Sequence, residues 1–312
     1  MNQFTLRKLR WPFPFQNSIL NTITKIFCLI IAETKLIWLF IRRDYSTTIL
    51  PAMLFMVAAW KSSQLSFVSL LLALGRGGIY FLLFILSFCI ANQIIGVEED
   101  RINKPDRPIA SEKVSYKGAL ARLAISQILF SVLGLCFGVL EWALLWQLFT
   151  FLYHVGRWDK NWFTKGLVIG IGAIAELAAA WELVAPITAS GWRWIFMMGG
   201  VWTTLVAVQD FRDIEGDRTI GRSTLPMVIG ETASRVIVSL GFLLLPVVTH
   251  IVLMRPAGNA LSVWLCDIGL AVWSWIIAFS VIFYRTPEAD HRTYMLFTYW
   301  YCLVLVSAIV VL

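Results

Sequence analysis

The sequence predicts an all-α, polytopic membrane protein with about nine transmembrane helices, and three observations carry that expectation. A chain of 312 residues that is 59% hydrophobic and 14% charged lies outside the range of soluble globular domains, and its mean hydropathy is +0.75. Apolar runs follow one another at intervals that leave no room for a soluble domain. Finally, nine spans entered from the cytosol leave twenty Lys and Arg residues in cytosolic segments and only Lys61, Arg76, Arg193 and Arg255 on the other side, the asymmetry of the positive-inside rule. The net charge of +7 therefore reads as membrane topology, and nucleic acid is not expected as a partner. The five cysteines sit in apolar segments without CxxC spacing and read as buried thiols, not as a zinc site or disulfide framework.

Residues 1 to 16 carry Arg7, Lys8 and Arg10 among aromatics and prolines, without the small-residue cleavage site of a secretory signal, and read as a cytosolic arm. Residues 17 to 43 are apolar but interrupted by Lys25, Glu33 and Lys35 before Arg42 and Arg43, which predicts an amphipathic helix lying in the membrane interface. Residues 1–44 thus form an arm with an interfacial helix, and 45–312 a single transmembrane domain. Spans are expected near 45–61, 77–98, 117–138, 141–155, 165–184, 191–210, 233–254, 260–284 and 294–312. The stretch 141–155 is short for a straight crossing. Between the first two spans, the apolar run Leu65 to Leu74 is expected to lie at the membrane surface.

Two acidic clusters close apolar runs. In Asn92-Gln-Ile-Ile-Gly-Val-Glu-Glu-Asp100, helical spacing puts Asn92, Gly96, Glu99 and Asp100 on one side. Asp210, Asp213 and Asp217 stand at i, i+3 and i+7, again one helical face. Facing each other, Asn92, Glu99, Asp100, Asp210, Asp213 and Asp217 would offer oxygen ligands to hard divalent cations, Mg2+ foremost. A solvated loop is the bland alternative, but Asn92 and Asp210 fall within the last turns of spans, where a polar group is costly and usually functional. The loops add Arg101, Lys104, Arg107, Lys160, Arg218 and Arg222, cations suited to a diphosphate or serving only to set topology. Glu176, mid-span, is either a helix-to-helix hydrogen-bonding group, as Glu182, Gln147 and Asp267 can be, or a cavity group that steers a cation or accepts a proton.

The first cluster continues as Arg101-Ile-Asn-Lys-Pro-Asp-Arg-Pro108, and the second reads Asp210-Phe-Arg-Asp-Ile-Glu-Gly-Asp-Arg218 with Gly221 and Thr224-Leu-Pro226. Together these motifs resemble the two signature regions of the UbiA superfamily of intramembrane prenyltransferases. The likeness takes in Tyr153 and Lys160 with Asn161, and so covers nearly the whole chain. It implies nine helices around a central cavity, cytosolic caps from the motif loops, two Mg2+ ions and a prenyl diphosphate substrate, with Tyr153 and Lys160 at the diphosphate.

Members that join a prenyl group to an acceptor usually carry an aspartate four residues after the motif asparagine, where this chain has Gly96. Asn-x-x-x-Gly-x-x-x-Asp is similar to the form in fungal membrane-bound terpene cyclases, which implies ionisation of farnesyl or geranylgeranyl diphosphate and closure of the cation on itself, in an endoplasmic reticulum membrane. Apolar spans would keep water from that cation, and the 15 Trp, 21 Phe and 8 Tyr supply ring faces for it. A prenyltransferase with an aromatic or polycyclic acceptor is the alternative, and a transporter with acidic ion gates is a second.

Overall fold

The computed structural model describes the backbone of residues 14–219 and 221–312, with side chains from residue 22 onward except those of 102, 103 and 219. Arg7, Lys8 and Arg10 of the expected arm lie outside the described residues. Helix α1 (Pro14–Ile41) leaves Ile23, Phe27 and Ile30 exposed along its length. Its end is anchored: Phe40 and Ile41 are buried with Ile85, Cys89 and Ile90 of α3 (Phe67–Ile95). Arg122 of α5 (Tyr116–Phe137) donates to both oxygens of Glu33 at 2.6 Å.

The expected spans appear as α2 (Ile49–Ser62), α3, α5, α6 (Leu140–His154), α7 (Trp162–Glu182), α8 (Ala189–Leu205), α11 (Glu231–Thr249), α12 (Leu261–Phe283) and α13 (Pro287–Val311). Among the described residues six of these, α3, α5, α7, α11 with its continuation to Ala257, α12 and α13, are long and apolar enough to cross a membrane alone. The other three run only 14, 15 and 17 residues, short of the roughly 20 that a straight crossing takes. Apolar content along the chain locates a span well, but not where its helix ends. The run Leu65 to Leu74 corrects one expectation, because from Phe67 it forms the opening turns of the 29-residue α3.

Helix starts follow from local side chains. Ser66, Ser115, Asn161, Thr188 and Thr286 each stand at the N-cap of α3, α5, α7, α8 or α13 and accept a hydrogen bond from an amide of the first turn. Gly138, at φ +77, ends α5 in the left-handed conformation that glycine adopts without strain.

Successive spans pack side by side, α2 on α3, α3 on α5 and so on to α8, and again from α11 to α13, and α13 closes the ring against α2. The tightest seam joins α7 and α8, where a Cβ on Gly170 would stand 1.8 Å from Thr203 Oγ1 and 2.6 Å from the Gly199 carbonyl. Backbones this close gain dispersion contacts where lipid offers no hydrophobic drive for helix association. Helix α7 lines the cavity from Lys165 in its first turns to Glu176 near its end.

Candidate active site

A single cavity inside the ring takes side chains from both acidic clusters: Asn92, Glu99 and Asp100 from the first and Asp213 from the second. Helix α3 stops at Gly96 and α4 (Val97–Asn103) resumes at once, so the single helix expected for the first cluster is two in series. The ladder nevertheless crosses the break, with the Gly96 amide donating to the Asn92 carbonyl and the Asp100 amide to the Gly96 carbonyl, both at 2.9 Å. Glu99 and Asp100 are thus held above Asn92 at the mouth.

The second cluster departs further from the expected helical face. After α8 the chain tightens into a 3-10 helix, Val206–Asp213, and then α9 (Ile214–Thr219). The change of pitch separates the three aspartates. Asp213 lines the cavity, whereas Asp210 is buried against Lys165 of α7, whose Nζ donates to it at 2.6 Å. Asp217 is buried and accepts from Arg222 at 3.1 Å, while its second oxygen has no partner.

Arg222 is the cross-link between the clusters. Its Nη1 donates to Glu99 at 3.2 Å and to Asp217 at 3.1 Å, and its Nη2 to Asp159 at 3.4 Å. A planar guanidinium can serve three carboxylates at once because its five N–H groups diverge in a fixed fork. The backbone beneath is pinned as well: the Ser223 amide donates to the Lys160 carbonyl at 2.7 Å and the Trp162 amide to the Ser223 carbonyl at 3.0 Å. Opposite, Arg107 Nη1 donates to both oxygens of Asp100 at 2.9 Å. Burial, reinforced by the Arg107 guanidinium, holds the Lys104 ammonium below the usual lysine range against the pull of Asp213 and Asp100.

Not every base expected at the diphosphate lines the cavity. Lys104, Tyr153 and Arg222 do. Arg101 lies outside, paired with Glu98 at 2.7 Å, Arg218 is exposed on α9, and Lys160 contributes backbone to the rim. A second lysine inside, beside Lys104, is Lys165, a cation just within an apolar helix, which is a signal the sequence displays. Arg107, Gln209, Arg212, Asp44 and Tyr294 also line the mouth. Arg212 lies over the Tyr294 ring, 4.5 Å from its centroid.

Below this charged mouth the walls are aromatic. Phe84 stacks on Trp146 with centroids 4.7 Å apart, and Phe88 on the same indole at 5.1 Å. The indole fits because residue 172 is glycine; a Cβ there would stand 2.4 Å from Trp146 Cζ3. Trp202 completes the wall and Glu176 lies at its depth.

Among the described residues no three acidic, His or Cys side chains already stand as one metal-binding group. The donors present nonetheless suit a hard cation: Asn92, Glu99, Asp100 and Asp213 are oxygen ligands around one mouth, and the unpartnered Asp217 oxygen lies behind them. Arginines now supply the counter-charge to Glu99, Asp100 and Asp217.

Residues 48–302 match the model of the UbiA prenyltransferase family. The chain belongs to that family. It is 43% identical to somaliensene A/B synthase of Streptomyces somaliensis over 93% of this chain and 97% of that one. It is also 34% identical to diterpene cyclase eriG and 33% identical to polyprenyl transferase eriF, both of Hericium erinaceus, over 90% of this chain and 89% and 96% of theirs. Among solved structures, a UbiA homologue of Archaeoglobus fulgidus bound to GPP and Mg2+ superposes with a TM-score of 0.64 over 87% of this chain and 99% of that one, at 12% identity. The UbiA fold and family membership make this an integral membrane enzyme and set aside the reading of the acidic helix ends as a transporter's gates.

Proposed function

We propose that this UbiA-family protein is a Mg2+-dependent terpene cyclase that ionises a prenyl diphosphate, farnesyl or geranylgeranyl, and closes the resulting cation on itself with release of diphosphate. The observation that carries the proposal is the division of one cavity into an acid- and base-lined mouth and an aromatic interior. Asn92, Glu99, Asp100 and Asp213 would hold Mg2+, with Asp217 behind them and Asp210 fixing Lys165. Bound there, the metal supplies positive charge to the leaving diphosphate. Lys104, Lys165, Arg222 and the Tyr153 hydroxyl, all lining the mouth, bind and orient the same group. Phe84, Phe88, Trp146 and Trp202 exclude water and offer ring faces to the cation.

Gly96 favours cyclisation over transfer, because glycine cannot contribute the ligand that acceptor-using members of the family place there. The relatives named as a synthase and a cyclase support the same choice, and the transferase eriF keeps acceptor prenylation as the second reading. The positive-inside count supports a cytosolic mouth, and the outward apolar face of α1 an interfacial helix.

Incubating membranes that contain the protein with prenyl diphosphates of increasing length and Mg2+, without acceptor, tests the reading. Pyrophosphate and a cyclic hydrocarbon are expected. Product only after addition of an aromatic acceptor would establish the transferase instead.

A further inference from the structure

Five acidic side chains are buried among the described residues: Asp100, Glu176, Asp210, Asp217 and Asp290. Four of them are paired with a cation: Asp100 with Arg107, Asp210 with Lys165, Asp217 with Arg222, and Asp290 with Arg235. Glu176 has none. Its hydrogen-bond partner among the described residues is the Tyr301 hydroxyl, which donates to Oε1 at 3.5 Å, the outer limit of such a bond. A lone carboxyl inside a membrane bundle is costly to keep, and a helix-to-helix tie this long returns little for it.

Its position gives it a use. Glu176 lies eleven residues after Lys165 on the unbroken α7, so it stands about 16 Å deeper along the helix axis than the diphosphate-binding end. It lines the cavity with Gly172 and Ala173 of the same helix, Gly172 being the residue against which the Trp146 indole packs. A hydrocarbon tail whose diphosphate is held at the mouth extends toward it.

We propose that Glu176 is the base that ends the cation cascade and that Tyr301 positions it; the proposal rests on the cyclase reading above. Ionisation leaves the electron pair of the C–O bond on the diphosphate and a carbocation in the chamber. Folding of the tail delivers that cation to the deep end, where it is the counter-charge Glu176 lacks. A C–H bond next to the cationic carbon then breaks. Its electron pair becomes the alkene, and its proton passes to the free carboxylate oxygen, to be returned to the departing diphosphate or to water as the cavity empties. Tyr301 packs edge-on to Trp202, with ring centroids 5.3 Å apart, and its hydroxyl engages Oε1, one of the two carboxyl oxygens of the cavity-lining Glu176. The site of proton loss, and hence the position of the final double bond, is set by this pair.

The test compares wild type, E176Q, Y301F and E182Q without acceptor, measuring pyrophosphate release and the hydrocarbon and alcohol profile separately. Glu182 is the control: it lies on the same helix but holds the Trp142 indole outside the cavity. E176Q is expected to keep pyrophosphate release within about threefold of wild type while the native hydrocarbon falls by about a hundredfold, the scale of a lost general base, in favour of alcohols or double-bond isomers. Y301F should redistribute the isomers at unchanged release, and E182Q should change neither. A wild-type profile from E176Q would overturn the assignment while leaving the cyclase reading standing. So would loss of pyrophosphate release in both E176Q and Y301F, which would make the pair part of the packing. Wild-type protein that releases no pyrophosphate without acceptor would overturn both readings.

Discussion

Replacing Arg222 tests whether the two acidic motifs act as one site. The R222M change removes a guanidinium that donates to Glu99, Asp217 and Asp159 at 3.2, 3.1 and 3.4 Å. Two consequences follow, and they can be measured apart. For the fold, breaking a buried ion pair on one side costs about 3–5 kcal/mol; Arg222 keeps 17% of its side chain exposed at the mouth, so about 2 kcal/mol is the expected loss. For the reaction, removing one charged donor from a developing oxyanion costs about 2–4 kcal/mol, or roughly 30- to 1,000-fold in rate. The assay is the initial rate of pyrophosphate release at saturating Mg2+, beside thermal unfolding in detergent. R222K should recover only part of the rate, because a lysine cannot reach three carboxylates in fork geometry. An R222M protein that melts slightly lower but turns over within about threefold of wild type, less than 1 kcal/mol of barrier, would refute the idea that this residue joins the clusters at the diphosphate.

Asp213→Ala should reduce turnover to background while the protein still purifies as folded, because Asp213 lines the cavity and its ion-pair partner among the described residues is the adjacent, part-exposed Arg212; chelation by EDTA should do the same and be reversed by Mg2+. Gly96→Asp is sterically tight but feasible, since its Cβ would stand 3.0 Å from the Asn92 carbonyl and 3.9 Å from Glu99 Oε2; product that appears only with an aromatic acceptor is the expected gain, and mass spectrometry of extracts checks it. Arg235→Leu leaves Asp290 buried without the guanidinium that donates to it at 2.7 and 2.8 Å. It should cost about 3–5 kcal/mol of stability, read as a lower unfolding temperature, without changing the product profile of the protein that remains folded.

The helical architecture was legible because its causes are local. Apolar runs mark each span, and the fold adds the caps that start several helices, as at Ser66, Ser115 and Thr188. Helix ends were less legible. Leu65 to Leu74 reads as a surface segment between two spans, yet α3 begins at Phe67 and takes in the rest of that stretch. The tightening after Leu205 into a 3-10 helix has no marker in the sequence of the apolar run before it. For that reason an i, i+3, i+7 pattern drawn on an ideal α-helix put Asp210, Asp213 and Asp217 on one face, whereas the folded chain sends one to Lys165, one to the cavity and one to Arg222.

What pairing adds to the site is a matter of contacts far apart in the chain, which spacing cannot encode. Motif spacing could nominate acids, and it could nominate bases in the loops beside them. It could not tell that Arg222 would reach back across 123 positions to Glu99, or that the cavity would take Lys165 beside Lys104 and not Lys160. Charge balance supplies the missing criterion once the fold is known. Each buried carboxylate in a low-dielectric interior must find a cation or be costly to retain; Asp100, Asp210, Asp217 and Asp290 satisfy this with Arg107, Lys165, Arg222 and Arg235. The arginines at the mouth hold the acids that, in the proposed reaction, a metal and a diphosphate would share, so substrate binding would exchange one set of ion pairs for another. Glu176, deep in the same chamber, has no cation partner among the described residues to exchange, and under the proposed reaction the substrate-derived cation would be the charge that meets it.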